Sequence, residues 1–300
     1  MCDDLTAHEE EAALARKGIG RRDFAALSAA AVIAACTAGD GEAKTKRALT
    51  ERSVTFPTPD GTADGFFVHP AKGKHPAVLL WPDIAGLREA YQVMARRLAE
   101  AGYAVLVLNH YYRNAPAPIM KSMAEWRTPE GQERLKPMIA AINPEATMRD
   151  AKAAIAWLDA QKAVDRKRGV GTQGYCMGGP LVFKTCAAIN NRVGAGATFH
   201  GGGLVTDKPD SPHLLIPKMK THMLIAIASN DDAKQPDAKD KLKAAFASAK
   251  IPAEVEVYAG TLHGWCVRDM PLSAGKPIYN QPDAERAWGR LLNLYKTSLT

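Results

Sequence analysis

The segment Gly174-Tyr175-Cys176-Met177-Gly178-Gly179 leaves a chain of this kind few ways to fold. Glycines two residues before and two residues after a central cysteine are what a very tight strand-to-helix turn requires, because side chains there would collide across it. The spacing predicts a strand at residues 170–173 and a helix from about Met177, with Cys176 held out at the turn between them as a nucleophile. The N-terminus of that helix contributes positive potential, which favours the thiolate over the thiol. A lone cysteine is usually just a small core residue. The flanking glycines and the strand-to-helix setting change that reading here.

The rest of the chain supplies the framework such a turn needs. Apolar runs of strand length at 77–81, 104–108, 195–199, 223–228 and 253–258 alternate with stretches of helical period. Tyr91, Met94, Ala95 and Leu98 form one apolar helical stripe closed by Gly102, and Pro144-Glu145 opens another that buries Met148, Ala151, Ile155 and Leu158. Helices are also expected at 238–249 and 283–294. Short strands at 54–56 and 66–69, bridged by Pro59-Asp60-Gly61, read as an antiparallel opening. Residues 111–143, with prolines at 116, 118, 129 and 137, read as a partly helical cap over a pocket. Strands alternating with helices predict an α/β domain whose mostly parallel sheet is covered on both faces. A chain of 300 residues suffices for one such domain with a large core.

Two later strands end in residues that complete the chemistry. The run at 223–228 leads into Ser229-Asn230-Asp231-Asp232, and 253–258 leads into Gly260-Thr261-Leu262-His263-Gly264. Nucleophile, acid and histidine in that chain order, each after a strand, is the arrangement in which the histidine takes the thiol proton and the acid orients its ring. Asp231 stands three positions after the strand and is favoured, with Asp232 as the alternative. Backbone N–H groups of Met177 and Ile84, the latter in the loop after 77–81, are the candidate oxyanion donors. His200-Gly201-Gly202-Gly203 copies an oxyanion motif that belongs before the nucleophile, so it reads as a loop near the pocket.

With the elbow, the Asp83-Ile84-Ala85-Gly86-Leu87 loop, Ala101-Gly102-Tyr103-Ala104-Val105 and Leu262-His263-Gly264-Trp265 on the page, the chain from about Val78 onward resembles the dienelactone hydrolase family. The resemblance implies an α/β-hydrolase fold and hydrolysis of a small lactone or ester through a cysteinyl acyl-enzyme, with no metal or organic cofactor. It also implies that Asp83, standing where well-known members have glutamate, contacts the resting thiol. Those members bind the substrate carboxylate with arginines, one of them four residues past the histidine. Val267 occupies that position here, which leaves Arg113 and Arg268 as candidate anchors, with Trp265 as a pocket wall. The competing reading is a non-catalytic exported binding lipoprotein on the same fold; a serine-type lipase is a weaker third.

Composition narrows the partners. The formal charge is +7, but the basic residues are spread along the chain without interleaved aromatics, which argues against nucleic acid. Five cysteines, at 2, 36, 176, 186 and 266, form neither a dense disulfide framework nor a zinc motif. The first 36 residues read as a twin-arginine signal, with Gly20-Arg21-Arg22-Asp23-Phe24 before an uncharged run too short to span a bilayer. Ile33-Ala34-Ala35-Cys36 resembles a lipid-attachment site, so Cys36 is a candidate for lipidation and the protein is expected to be exported. An alanine-rich leader with two chance arginines is the alternative, and Glu9-Glu10-Glu11 is atypical of a signal. Residues 37–52 are then a linker and 53–300 the α/β domain.

Overall fold

The computed structural model describes residues 47–300, so the expected signal segment and Cys36 lie outside the described residues. Strand β1 (Leu49–Thr58) begins earlier than the sequence suggests, taking in four residues assigned to the linker. It pairs antiparallel with β2 (Gly61–Pro70), the turn falling at Pro59-Asp60. Polar residues hid these strands: β1 is largely solvent-facing, with only Val54 and Phe56 buried.

The elements that follow are β3 (Ala77–Trp81), α1 (Glu89–Glu100), β4 (Ala104–Leu108), α2 (Met123–Trp126), α3 (Pro129–Ala140), α4 (Pro144–Asp159), β5 (Val170–Tyr175), α5 (Gly178–Ala188) and β6 (Val193–Phe199). A 3-10 turn at Pro212–Lys218 precedes β7 (His222–Ala228), α6 (Ser229–Lys234), α7 (Ala238–Ser248) and β8 (Ala253–Tyr258). A two-residue hairpin of β9 (Leu272–Ser273) and β10 (Lys276–Pro277) leads into α8 (Gln281–Ser298). The main sheet has eight strands in the order β1-β2-β4-β3-β5-β6-β7-β8, parallel from β4 to β8.

Strand periodicity divides the core into two layers. Along β3, Ala77, Leu79 and Trp81 pack on one face with α4, α5 and α7, whereas Val78 and Leu80 face α1 and α8 on the other. Every residue of β3 and β4 is buried, as expected for strands covered on both sides, which is why these runs are continuously apolar in the sequence. The β-strands therefore form a rigid platform, and the loops at their C-terminal ends converge at one edge. Among the described residues no helix is long and apolar enough to cross a membrane.

Candidate active site

Cys176 sits at the junction of β5 and α5 with φ of 53°, a left-handed conformation that costs a non-glycine residue strain. Its backbone is clamped: its N–H donates to the Phe199 carbonyl at 3.1 Å, and its carbonyl accepts from Gly179 N–H at 3.0 Å. The glycine requirement is met in detail. A Cβ on Gly178 would lie 2.5 Å from the Trp81 carbonyl oxygen and 2.7 Å from that of Pro82, and one on Gly174 would run into the Gly178 carbonyl.

His263 and Asp231 arrive from the two neighbouring loops. His263 Nδ1 and Asp231 Oδ2 are 2.6 Å apart, and His263 N–H donates to Asn230 Oδ1 at 2.8 Å, which ties the β8 loop to the start of α6. Asp231 lies in the first turn of the short helix α6, where the sequence had suggested only a loop. The adjacent Asp232 points elsewhere, its Oδ1 accepting from Lys239 Nζ at 2.9 Å. Burial alone would lower the His263 pKa, but the hydrogen bond to Asp231 and the interaction with Cys176 outweigh it and raise the imidazole to about 10.

Cys176, His263, Asp83, Ile84 and His200 line one cavity of about 290 Å³, of the size that takes a small organic molecule. The cap encloses it with Met123, Trp126 and Arg127. Tyr111 donates to the Ile84 carbonyl at 2.8 Å and fixes the loop after β3, while Met177 stands at the N-cap of α5. Among the described residues neither the Ile84 nor the Met177 N–H donates to a backbone carbonyl.

Three expectations about polar groups need correcting. Asp83 lines the cavity, but its carboxylate is held by Arg88, at 2.6 and 3.0 Å, and by Ala85 N–H at 3.0 Å, with no hydrogen bond to the thiol. Arg88 in turn holds Asp269 at 2.7 and 2.8 Å. Arg113 is spent on Asp60 and Asp150 and does not line this cavity, and Arg268 lines a different cavity. The one Lys or Arg side chain in the wall of this cavity is Arg127, whose Nη1 donates to the Leu272 carbonyl at 3.2 Å. Trp265 is fully buried, stacked on Tyr258 and edge-on to His200, so it supports the site from beneath.

His200, which the sequence assigned only to a loop near the pocket, stands in the cavity wall itself. It has φ of 42°, is buried with both ring nitrogens unpartnered, and stands edge-on to His263 with ring centroids 4.7 Å apart. Burial, and then the charge of His263, keep it neutral well below the usual histidine range. Its position directly after the strand beside β5 was the available signal.

An open, mostly parallel sheet with a strained cysteine turn at one strand end, and an Asp-His pair after the second and third strands beyond it, defines the α/β-hydrolase fold. Residues 63–299 match the dienelactone hydrolase family, and the chain belongs to it. A Synechocystis protein named "Putative carboxymethylenebutenolidase" is 26% identical over 250 residues, covering 82% of this chain and 96% of the relative. The carboxymethylenebutenolidase of Pseudomonas putida is 28% identical over 174 residues, 57% of this chain and 69% of its own. The fold is shared with a dienelactone hydrolase-like promiscuous phosphotriesterase from metagenomic libraries at a TM-score of 0.68 and 23% identity, covering 84% of this chain and all of the other.

Proposed function

We propose that this protein hydrolyses a small lactone or carboxylic ester through a cysteinyl acyl-enzyme, with Cys176, His263 and Asp231 as nucleophile, base and orienting acid. The observation that carries this reading is the 2.6 Å Asp231–His263 contact beside a cysteine strained into the same cavity. Cys176 Sγ attacks the acyl carbon, a thioester forms, and the C–O bond breaks as the leaving oxygen takes a proton from His263. Water then attacks the thioester, His263 accepts its proton, and the thiolate departs. Asp231 stabilises the imidazolium at each protonated stage. The Ile84 and Met177 N–H groups hold the oxyanion.

A substrate that carries a carboxylate finds its anchor in Arg127, which takes the role first expected of Arg113 and Arg268. Asp83, gripped by Arg88, shapes the wall beside the thiol. Export through residues 1–36, to the periplasm or to a lipid anchor at Cys36, belongs to the same proposal. It is tested by fractionating cells that express the full chain or its Arg21→Lys/Arg22→Lys variant.

The decisive experiment is hydrolysis of p-nitrophenyl acetate and of a dienelactone by the wild type, Cys176→Ala and Cys176→Ser. Turnover by the wild type that falls by about a thousandfold or more in Cys176→Ala supports the reading. An inert wild type, or an unaffected Cys176→Ala, overturns it and favours the binding protein. Arg127→Gln is expected to raise KM for the carboxylate-bearing dienelactone about tenfold and to leave p-nitrophenyl acetate nearly unchanged.

A further inference from the structure

A second cavity of the described domain is lined by residues other than those around the reactive cysteine. It measures about 380 Å³, opens between α1, α8 and the segment around Arg268, and shares no lining residue with the cavity of Cys176. Its floor is apolar: Tyr175 and Phe199 are core residues whose rings stack with centroids 5.0 Å apart, and Met94, Cys266 and Trp288 complete it. Burial pushes the Cys266 thiol up, so at neutral pH it is uncharged and adds to the apolar floor.

The rim is charged, with Arg97, Lys121 and Arg268 against Glu89 and Asp269. The acidic members are ion-paired, Glu89 with Arg96 at 2.7 Å and Asp269 with Arg88 at 2.7 Å, through guanidiniums that they share with Glu51 and Asp83. Arg97 is paired with Glu285 and covers the Trp288 ring. Two cations are left: among the described residues neither Lys121 nor Arg268 has a carboxylate within ion-pair distance, and Arg268 rests over the Tyr279 ring at 6.0 Å. An apolar floor under two cations with no carboxylate at ion-pair distance complements a molecule with a hydrocarbon body and one anionic head. The volume lies in the range of pockets that take such molecules.

We propose that this cavity is a second binding site, for a small amphipathic carboxylate whose apolar chain lies on Tyr175, Phe199 and Trp288 and whose head pairs with Lys121 and Arg268. The site is independent of the chemistry at Cys176.

Calorimetric titration of the full chain with octanoate, and separately with octanol, tests it. Saturable one-to-one binding of octanoate is expected, with octanol at least about tenfold weaker. The Lys121→Gln/Arg268→Gln variant should bind octanoate about tenfold more weakly and leave octanol unchanged, and Ala90→Trp, which fills the mouth, should bind neither. Circular dichroism and melting confirm that each variant is folded. Brief iodoacetamide treatment that mass spectrometry shows to alkylate Cys176 and not Cys266 should leave octanoate binding intact, and octanoate should slow the later modification of Cys266. Absence of saturable binding, equal affinity for octanol, or loss of binding on alkylation of Cys176 each overturns the proposal. The last of these places the carboxylate in the reactive cavity, and none of them bears on whether Cys176 is the nucleophile.

Discussion

Replacing Arg88 by methionine isolates the most heavily buried ion-paired cluster among the described residues. Arg88 and Asp83 are each 1% exposed, joined by contacts of 2.6 and 3.0 Å, whereas Asp269 is 28% exposed. Methionine fills most of the aliphatic volume, so the loss is mainly electrostatic. Without the guanidinium, Asp83 keeps only the Ala85 N–H in a site closed to water, and an uncompensated buried carboxylate costs about 3–5 kcal/mol. Asp269 adds less than about 1 kcal/mol, because water takes over at its exposed side. A domain of this size loses roughly 2–4 °C of melting temperature per kcal/mol, so Arg88→Met should melt about 6–20 °C lower. Asp83→Leu alone strands the arginine against Asp269, and the double variant removes both charges. Its destabilisation should therefore fall short of the summed single effects by at least about 2 kcal/mol. Urea unfolding followed by circular dichroism, with an unchanged denaturant slope, provides the measurement. A loss below about 1 kcal/mol in Arg88→Met with Asp83 intact would falsify the claim that this cluster holds the loop after β3 in place.

Other consequences of the geometry are open to simpler tests. Gly178→Ala places a methyl group 2.5 Å from one backbone oxygen and 2.7 Å from another, neither of which can rotate away; the variant should lose more than about 3 kcal/mol or fail to accumulate as soluble protein. Asp231→Asn is expected to cut kcat by about a hundredfold or more through loss of the correctly oriented imidazole, while Asp232→Asn stays within about threefold; equal effects would refute the assignment. The imidazole of His263 is raised from 6.5 to about 10 on folding. Its contribution is therefore fully present below pH 6.5 and disappears as the pH climbs towards 10. The ceiling for a rise of that size is about 5 kcal/mol, and exposure of the pair reduces it to roughly 2 kcal/mol. Unfolding free energies of wild type and His263→Gln, compared at pH 6 and pH 10, should converge at the higher pH.

The parallel core was readable because β3 and β4 are buried on both faces, and only continuous apolar runs satisfy that environment. The turn at Cys176 was readable because sterics tie it to glycines at fixed offsets. The partner of His263 was narrowed to two neighbouring aspartates, and which of them faces the ring depends on the helical start of α6, which six residues, five of them polar, do not announce. What escaped the sequence was decided at long range. Arg127 reaches the cavity because the cap folds back on Leu272, 145 residues further along, and nothing local distinguishes it from Arg113. Arg88, only five residues past Asp83, looked like an ordinary helix-flanking arginine until its burial was known.

The division of labour between the sheet and the cap bears on how such a protein acquires new substrates. Cys176, Asp231 and His263 stand on turns anchored to strands, whereas Met123, Trp126 and Arg127 belong to an excursion between β4 and α4 that contributes no strand to the main sheet. Changes in that excursion can redraw what the cavity admits while the reacting atoms keep their places. Natural variation confined to one segment is then enough to turn a single chemical tool towards many compounds.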